Sequence, residues 1–341
     1  MEPRKIKGVV YDTGMDAALG DKMKPLDLQE CQREMQIIRD DLHCNAVRVL
    51  GSNFESLEIA SEECLKLGME AWIAPYLIDR TREQTLELLI ECAKMAQRLQ
   101  EKYPDGKVVY VAGGEFLFYM KGILEGENFI DRTATYTKAY SDPNEYSKLL
   151  KNVEEKMAVI MPEIVTEVRK VFHGEITYAT MPFDPVDWSL FDFISLDYYR
   201  GSYNRETYGP DLRPFIASDI PVIIMEVGLC TFQGAEDMGA GGHMIIDNGW
   251  GISGDYVRDE SLQAKELVEM MEICEKEGVQ GQFVFYFKEE AMTYNEDPHK
   301  DLDMACYGLV KCYADKNGTV YPDMKWDPKE SFYAVAKFYE K

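Results

Sequence analysis

Histidine is scarce: the chain has only 4 in 341 residues. None is paired as HxH or HExxH, so the imidazole spacings that hold a catalytic metal are missing. Positive charge is also in deficit. Against 61 acidic side chains stand 37 lysines and arginines, a formal charge of −24, and such a surface repels nucleic acid and anionic membranes alike. The 8 cysteines (Cys31, Cys44, Cys64, Cys92, Cys230, Cys274, Cys306, Cys312) form no CxxC pair. Most sit inside apolar helix or strand patterns and read as reduced core thiols of a cytoplasmic protein. No apolar run approaches the ~18 residues of a membrane span, and residues 1–20 lack the apolar core of a secretion signal. No GxGxxG follows the first strand-like segment, which argues against a dinucleotide-binding doubly wound sheet. These absences predict a soluble cytoplasmic protein with no metal or organic cofactor and no nucleic-acid or membrane partner.

What is present is a hydrophobic fraction of 46%, distributed as alternating strand-like and helix-like patterns. Val9-Val10-Tyr11 opens the series, and a helix with Ile37 and Ile38 on one face leads to a strand over 45–50. A helix over 55–67 stops at Gly68, and the next strand covers 71–75. Thr81 and Gln84 form a capping-box signature for a helix to about residue 101. A strand from Val108 then closes on Glu115. Tyr146, Leu149, Val153, Met157, Ile160 and Ile164 mark a helix in which Pro162 predicts a kink or break. Strands follow over 175–180, 191–197 and 221–228, then a helix over 260–277 stopped by Gly278. The last strand covers 282–286, and a final helix 329–340. Strand–helix units in this number, without a linker or repeat, predict an α/β fold: a single (β/α)8 barrel spanning 1–341. Segments 116–142 and 230–258 read as enlarged loops after strands 4 and 7, the second rich in glycine (Gly239, Gly241, Gly242, Gly249, Gly251, Gly254).

Barrel chemistry sits where strands end at the C-terminal face. The polar residues at those ends are Asp12, Arg48, Glu115, Asp197, Tyr198, Tyr199, Arg200 and Glu226, with Tyr286 and Lys288 closing the eighth strand. Glu115 and Glu226 each end an apolar run, Val108–Gly114 and Pro221–Met225, where an unneeded carboxylate is costly. Two carboxylates among arginine and tyrosine, without a metal cluster, suit glycoside hydrolysis: one attacks the anomeric carbon while the other protonates the leaving oxygen.

The pair resembles the hallmark of glycoside hydrolase clan A, whose glutamates end the fourth and seventh strands. That resemblance implies Glu115 as acid/base and Glu226 as nucleophile, with Val227-Gly228 following the clan's local pattern. It extends to Arg48, which is similar to the arginine that supports the nucleophile there, and to a sixth-strand tyrosine, Tyr198 or Tyr199. The chain departs from the clan at Gly114, where asparagine usually contacts the sugar 2-hydroxyl. It departs again at Phe285-Tyr286-Phe287, where tryptophan is common. More closely, the stretches DDLHCNAVRVLGSN, FDFISLDYYR, GDYVRDESLQA and DLDMACYGLVK resemble an uncharacterised microbial barrel family often labelled abortive-infection-like.

Each candidate also has a purely structural reading. Glu226 and Arg48 are either a catalytic pair or an ion pair across the barrel top, and Glu115 is either functional or follows a Gly113-Gly114 that only marks a bulge. Alternation through Phe193, Ser195 and Asp197 puts Tyr199 on the face of Asp197, and Tyr198 with Ile194 and Leu196; one tyrosine faces the mouth. Asp12 binds hydroxyls or caps a turn, Trp188 stacks on a sugar or packs a loop, and Tyr286 supports the site at the eighth strand. His243 and His299 read as solvated. The leading functional expectation is a retaining glycoside hydrolase or transglycosylase acting on a short glycoside or glycoconjugate. A non-catalytic barrel that binds a carbohydrate or protein partner, within a phage-defence system, is the alternative. A metal-dependent barrel hydrolase fits less well because imidazole ligands are so few.

Overall fold

The structure, a computed structural model, describes residues 5–14, 25–247 and 249–341. Part of the stretch 1–20 read above for a secretion signal lies outside them. Strand β1 (Ile6–Asp12) leads to helix α1 (Leu28–Asp40), capped by Asp27, then β2 (Ala46–Gly51), α2 (Phe54–Lys66) and β3 (Glu70–Pro75). Every residue of β2 and β3 is buried, as expected of parallel strands covered on both faces. Helix α3 (Arg82–Lys102) starts at the reciprocal Thr81–Gln84 capping box and precedes β4 (Val108–Gly114). The segment after β4 holds α4 (Phe116–Tyr119) and α5 (Phe129–Tyr140). Its anchor is Arg132, whose buried side chain donates to the carbonyls of Phe118 (2.5 Å) and Tyr119 (3.2 Å) and pairs with Asp79.

Helix α6 (Pro143–Arg169) follows. The kink or break expected at Pro162 does not divide it: one helix runs through the proline. Met157, Ile160, Met161, Ile164 and Val168 form a continuous buried stripe across that point, so packing outweighs the one lost backbone hydrogen bond. Strand β5 (Glu175–Thr180) is followed by a 3₁₀ turn at Trp188–Leu190, and β6 (Ile194–Asp197) begins only after it. Helix α7 (Arg213–Ile216) is a single turn. Strand β7 (Val222–Val227) leads into the glycine-rich segment, which carries α8 (Ala235–Met238) and a 3₁₀ stretch over Gly239–Ile245. Helix α9 (Glu260–Glu277) ends on Gly278 in the left-handed region, φ 110°. Strand β8 (Gly281–Val284) stops short of Phe285 and Tyr286. A hairpin of β9 (Val310–Cys312) and β10 (Trp326–Pro328) and helix α10 (Glu330–Tyr339) complete the chain.

The strands β1 to β8 close a barrel in chain order, with parallel pairing of β1 with β8, β3 with β4, β4 with β5, β5 with β6 and β7 with β8. The fold is therefore a (β/α)8 barrel. Contacts cluster into two compact units: one takes in Val49–Asp197, the other Asp27–Arg48 and Tyr198–Lys341 together with β1. All eight cysteines are buried, and among the described residues no helix is long and apolar enough to cross a membrane.

Candidate active site

In the unit that contains β7, Glu226 lies one residue before the end of its strand, at the end of the buried run Val222–Met225. Its two carboxylate oxygens are engaged separately. Arg48 Nη1 donates to Oε1 at 2.8 Å and also to the Met225 carbonyl at 3.1 Å, while the Tyr199 hydroxyl donates to Oε2 at 2.8 Å. The Arg48 side chain is 4% exposed and that of Glu226 16%. The arginine is thus sealed while the carboxylate stays within reach of solvent. Donors on both oxygens fix the plane of the carboxylate.

The two tyrosine candidates separate. Tyr198 donates its N–H to the Glu226 carbonyl at 2.8 Å, which aligns the backbone. Its side chain turns away: the ring stacks on Tyr208 with centroids 4.4 Å apart, and its hydroxyl donates to the Tyr208 carbonyl at 2.7 Å. Of the pair, only Tyr199 reaches the carboxylate. Burial first, then the negative charge of Asp211, pushes the Tyr198 phenol upward, so it has no acid–base part near neutrality. Arg200 is likewise drawn off to α9, where it pairs with Glu266 at 2.6 Å. Lys288 is enclosed by Glu30, Glu34 and Glu290 at 2.6, 2.7 and 2.9 Å.

Tyr286 is buried, and its hydroxyl donates to Glu289 at 3.1 Å. Burial, with Cys306, Glu289 and Asp12 as neighbouring charges, drives that phenol well above its ordinary value. Asp12 and Tyr286 are therefore neighbours, and Glu289, unmarked by any sequence pattern, joins them. Burial also raises the Glu289 carboxyl. Tyr307 is a further residue that spacing could not reveal. It packs against Tyr199 at 5.7 Å and Phe285 at 5.8 Å, feels the charge of Glu226, and donates to the Ala240 carbonyl at 2.7 Å. That bond ties the glycine-rich segment down. His243 in the same segment is exposed, with Nδ1 3.3 Å from the Tyr307 oxygen, and His299 is exposed too.

In the other unit, Glu115 follows β4 directly and occupies the left-handed region, φ 43°. Register slips between Val111 and Gly114 against β5, so Gly113-Gly114 does form an irregularity. Gly113 has φ 100°, and a Cβ there would lie 2.1 Å from the Phe116 ring. At Gly114 a Cβ would come within 3.2 Å of the Ala179 carbonyl oxygen, which is tight for the asparagine usual in the clan. The Tyr119 hydroxyl hydrogen-bonds to both Glu115 and Tyr76; burial first, then the Glu115 charge, raises the Tyr119 phenol. Beyond Glu115, Phe118, Tyr136 and Phe183 form an aromatic wall, with Tyr136 against Phe118 at 5.2 Å and against Phe183 at 5.4 Å.

The two remaining candidates of this unit lie in different surroundings. Asp197 at the end of β6 is 1% exposed, too enclosed to touch substrate. Trp188 sits half-buried in its 3₁₀ turn, with the ring edge-on to Phe191 at 6.1 Å. Among the described residues no group of three or more His, Cys, Asp or Glu side chains is arranged to hold a metal ion.

No protein-family model matches the chain, and no curated protein sequence does. The resemblance to abortive-infection-like barrels rests on the four quoted stretches alone. Solved structures do match. A GH113 β-1,4-mannanase aligns over 99% of this chain and 100% of its own, at 14% identity and a TM-score of 0.59. Bacteroides uniformis β-glucuronidase 2 aligns over 99% of this chain at 15% identity and a TM-score of 0.61, but only 35% of that longer protein is spanned. GH5_18 from Bifidobacterium longum subsp. longum aligns over 98% of this chain and 78% of its own, at 12% identity and a TM-score of 0.55. At these identities the likeness is one of fold.

Proposed function

We propose that this chain is a retaining glycoside hydrolase, or a transglycosylase working through the same intermediate, with Glu226 as nucleophile and Glu115 as acid/base. The observation that carries the reading is the Glu226 carboxylate, oriented by Arg48 and Tyr199 at 2.8 Å each yet still reachable. The placement of both glutamates where their strands give way to loops and the glycoside-hydrolase barrels among the matching structures support it.

In the first step, a Glu226 oxygen forms a bond to the anomeric carbon as the bond to the leaving oxygen breaks, and Glu115 gives that oxygen its proton. In the second, Glu115 as carboxylate takes a proton from water while the water oxygen displaces Glu226; an acceptor hydroxyl in place of water gives transfer. Retention needs carboxyl groups ~5–5.5 Å apart. The leaving Tyr199–Glu226 hydrogen bond is weakened as charge moves from Glu226 to the sugar, and it re-forms on release. Asp12, Tyr286 and Glu289 are proposed to contact sugar hydroxyls, which suits a short, uncharged glycoside or glycoconjugate.

The test is a screen of 4-nitrophenyl and 2,4-dinitrophenyl β-glucoside, β-mannoside, β-galactoside and β-glucuronide, with Glu226→Ala as control. A substrate turned over by wild type and not by Glu226→Ala, with a 2-deoxy-2-fluoro analogue adding one glycosyl mass to a Glu226 peptide, is expected. Turnover that survives Glu226→Ala overturns the assignment. Binding of these glycosides without turnover by wild type moves the reading to a carbohydrate-binding barrel.

A further inference from the structure

Glu115 is held in a backbone conformation that a residue with a side chain rarely adopts, φ 43°, and such a conformation persists only where its surroundings impose it. Two consecutive amides supply that constraint. The Glu115 N–H donates to the Ala179 carbonyl at 3.0 Å, an ordinary link to β5. The next amide, that of Phe116, donates instead to a side chain: the phenol oxygen of Tyr178, at 2.7 Å. Tyr178 is 0% exposed, and its ring packs on Phe116 with centroids 5.0 Å apart.

A phenol that accepts from an amide must send its own proton elsewhere. The acceptor is Asp184 Oδ2, at the long distance of 3.5 Å, and the same oxygen accepts from the Thr180 hydroxyl at 2.7 Å. Asp184 is 6% exposed, and its Oδ1 has no hydrogen-bond partner among the described residues. A carboxylate enclosed in this way, with no cation beside it among the described residues, is poorly explained as a contribution to stability. It is well placed to orient the Tyr178 hydroxyl. Thr180 and Tyr178 both belong to β5, and Asp184 lies in the loop that follows it.

We infer that Tyr178, oriented by Asp184, is a positioning residue that holds the turn bearing Glu115, so that the proton reaches the leaving oxygen in line. The inference rests on the reading of Glu115 as acid/base. Neither residue touches substrate. With Tyr178→Phe the Phe116 amide loses its acceptor, the turn is free to relax, and the carboxyl drifts from the geometry that proton donation requires.

Leaving-group dependence tests this. A 2,4-dinitrophenolate departs without a proton, whereas methanol or a sugar needs one. On the glycone that wild type hydrolyses, Tyr178→Phe is expected to lower kcat/KM, which reports the step in which the leaving group departs, for the methyl or disaccharide glycoside by roughly 10²-fold. For the 2,4-dinitrophenyl glycoside kcat/KM should be almost unaffected, while kcat and KM fall together where hydrolysis of the glycosyl-enzyme, which also uses Glu115, limits turnover. Asp184→Asn, which keeps the phenol but disturbs its orientation, is expected to show the same selectivity to a lesser degree; it also carries the test if Tyr178→Phe does not fold. Glu115→Ala must show the pattern in full. If it lowers kcat/KM for both leaving groups equally or for neither, the acid/base reading of Glu115 fails. If Glu115→Ala shows the pattern and neither Tyr178→Phe nor Asp184→Asn does, the positioning role fails while the reading stands. Independently of turnover, hydrogen exchange at the Phe116 amide should be slow in wild type and accelerated in Tyr178→Phe; equal protection in both overturns the proposal.

Discussion

Tyr199 and Arg48 each donate to a different oxygen of Glu226, and the two donors differ in what their loss costs. Tyr199→Phe removes one hydrogen bond to a charged group, about 1.5–3 kcal/mol. We predict kcat/KM down by roughly 10–10²-fold with little change in melting temperature, measured side by side on the best aryl glycoside. Arg48→Leu leaves a poorly hydrated carboxylate without its counter-charge, and breaking such a pair costs about 3–5 kcal/mol. It is expected to lower stability clearly in denaturant melts as well as turnover; unchanged stability would show that the pair is not sealed as described. Asp184 gives a pH prediction. Burial raises its carboxyl from 3.8 to about 6 in the folded chain, so the folded state binds the proton more tightly than the unfolded one. Its contribution is full below about pH 4 and lost as pH rises through 6, bounded at about 3 kcal/mol by ~1.4 kcal/mol per unit. Asp184→Asn lacks this dependence. Thermal melts should therefore show the variant gaining on wild type between pH 4 and pH 7, and parallel curves would sink the assignment.

At the scale of elements, the β4–α4 junction is the demanding one. Gly113 combines φ 100° with a Phe116 ring 2.1 Å from where a Cβ would stand. Gly113→Ala is expected to cost roughly 1–3 kcal/mol and to displace the turn that carries Glu115, seen as a lower unfolding midpoint together with reduced turnover. A helix start elsewhere offers a contrast. Thr81→Ala removes the capping box of α3 at about 1 kcal/mol and should leave turnover untouched, because α3 contributes no residue to the site. The reach of local signals follows the same division. The Thr81–Gln84 box, the stop at Gly278 and the stripe of α6 are short-range, and they were readable in one dimension. No break occurs at Pro162 for the same reason: the proline rule is local, whereas the stripe that carries the helix past it is set by packing.

For the whole molecule, enclosure governs the thiols. All eight cysteines are buried, and burial lifts the thiols of Cys274 and Cys306 to about 12, so thiolate is rare at neutral pH. A disulfide-exchange reagent such as Ellman's is expected to modify the native chain at a small fraction of the rate seen in denaturant; comparable rates would mean the core opens readily.

The order of strands and helices, the barrel they close, and the two glutamates that end apolar strands were legible in the chain itself. Each depends on residues within a few positions of one another, on periodicity, caps, and the cost of a carboxylate in an apolar run. What the chain could not disclose is which of two adjacent tyrosines serves Glu226. That depends on Tyr208, whose ring takes Tyr198 away at 4.4 Å and leaves Tyr199 to donate. Nor did any pattern mark Tyr119, Tyr178, Asp184, Glu289 or Tyr307, or show that Asp197 is sealed. Those residues acquire their roles from side chains brought together by strand register and loop packing, and such contacts are decided only when the tertiary structure forms.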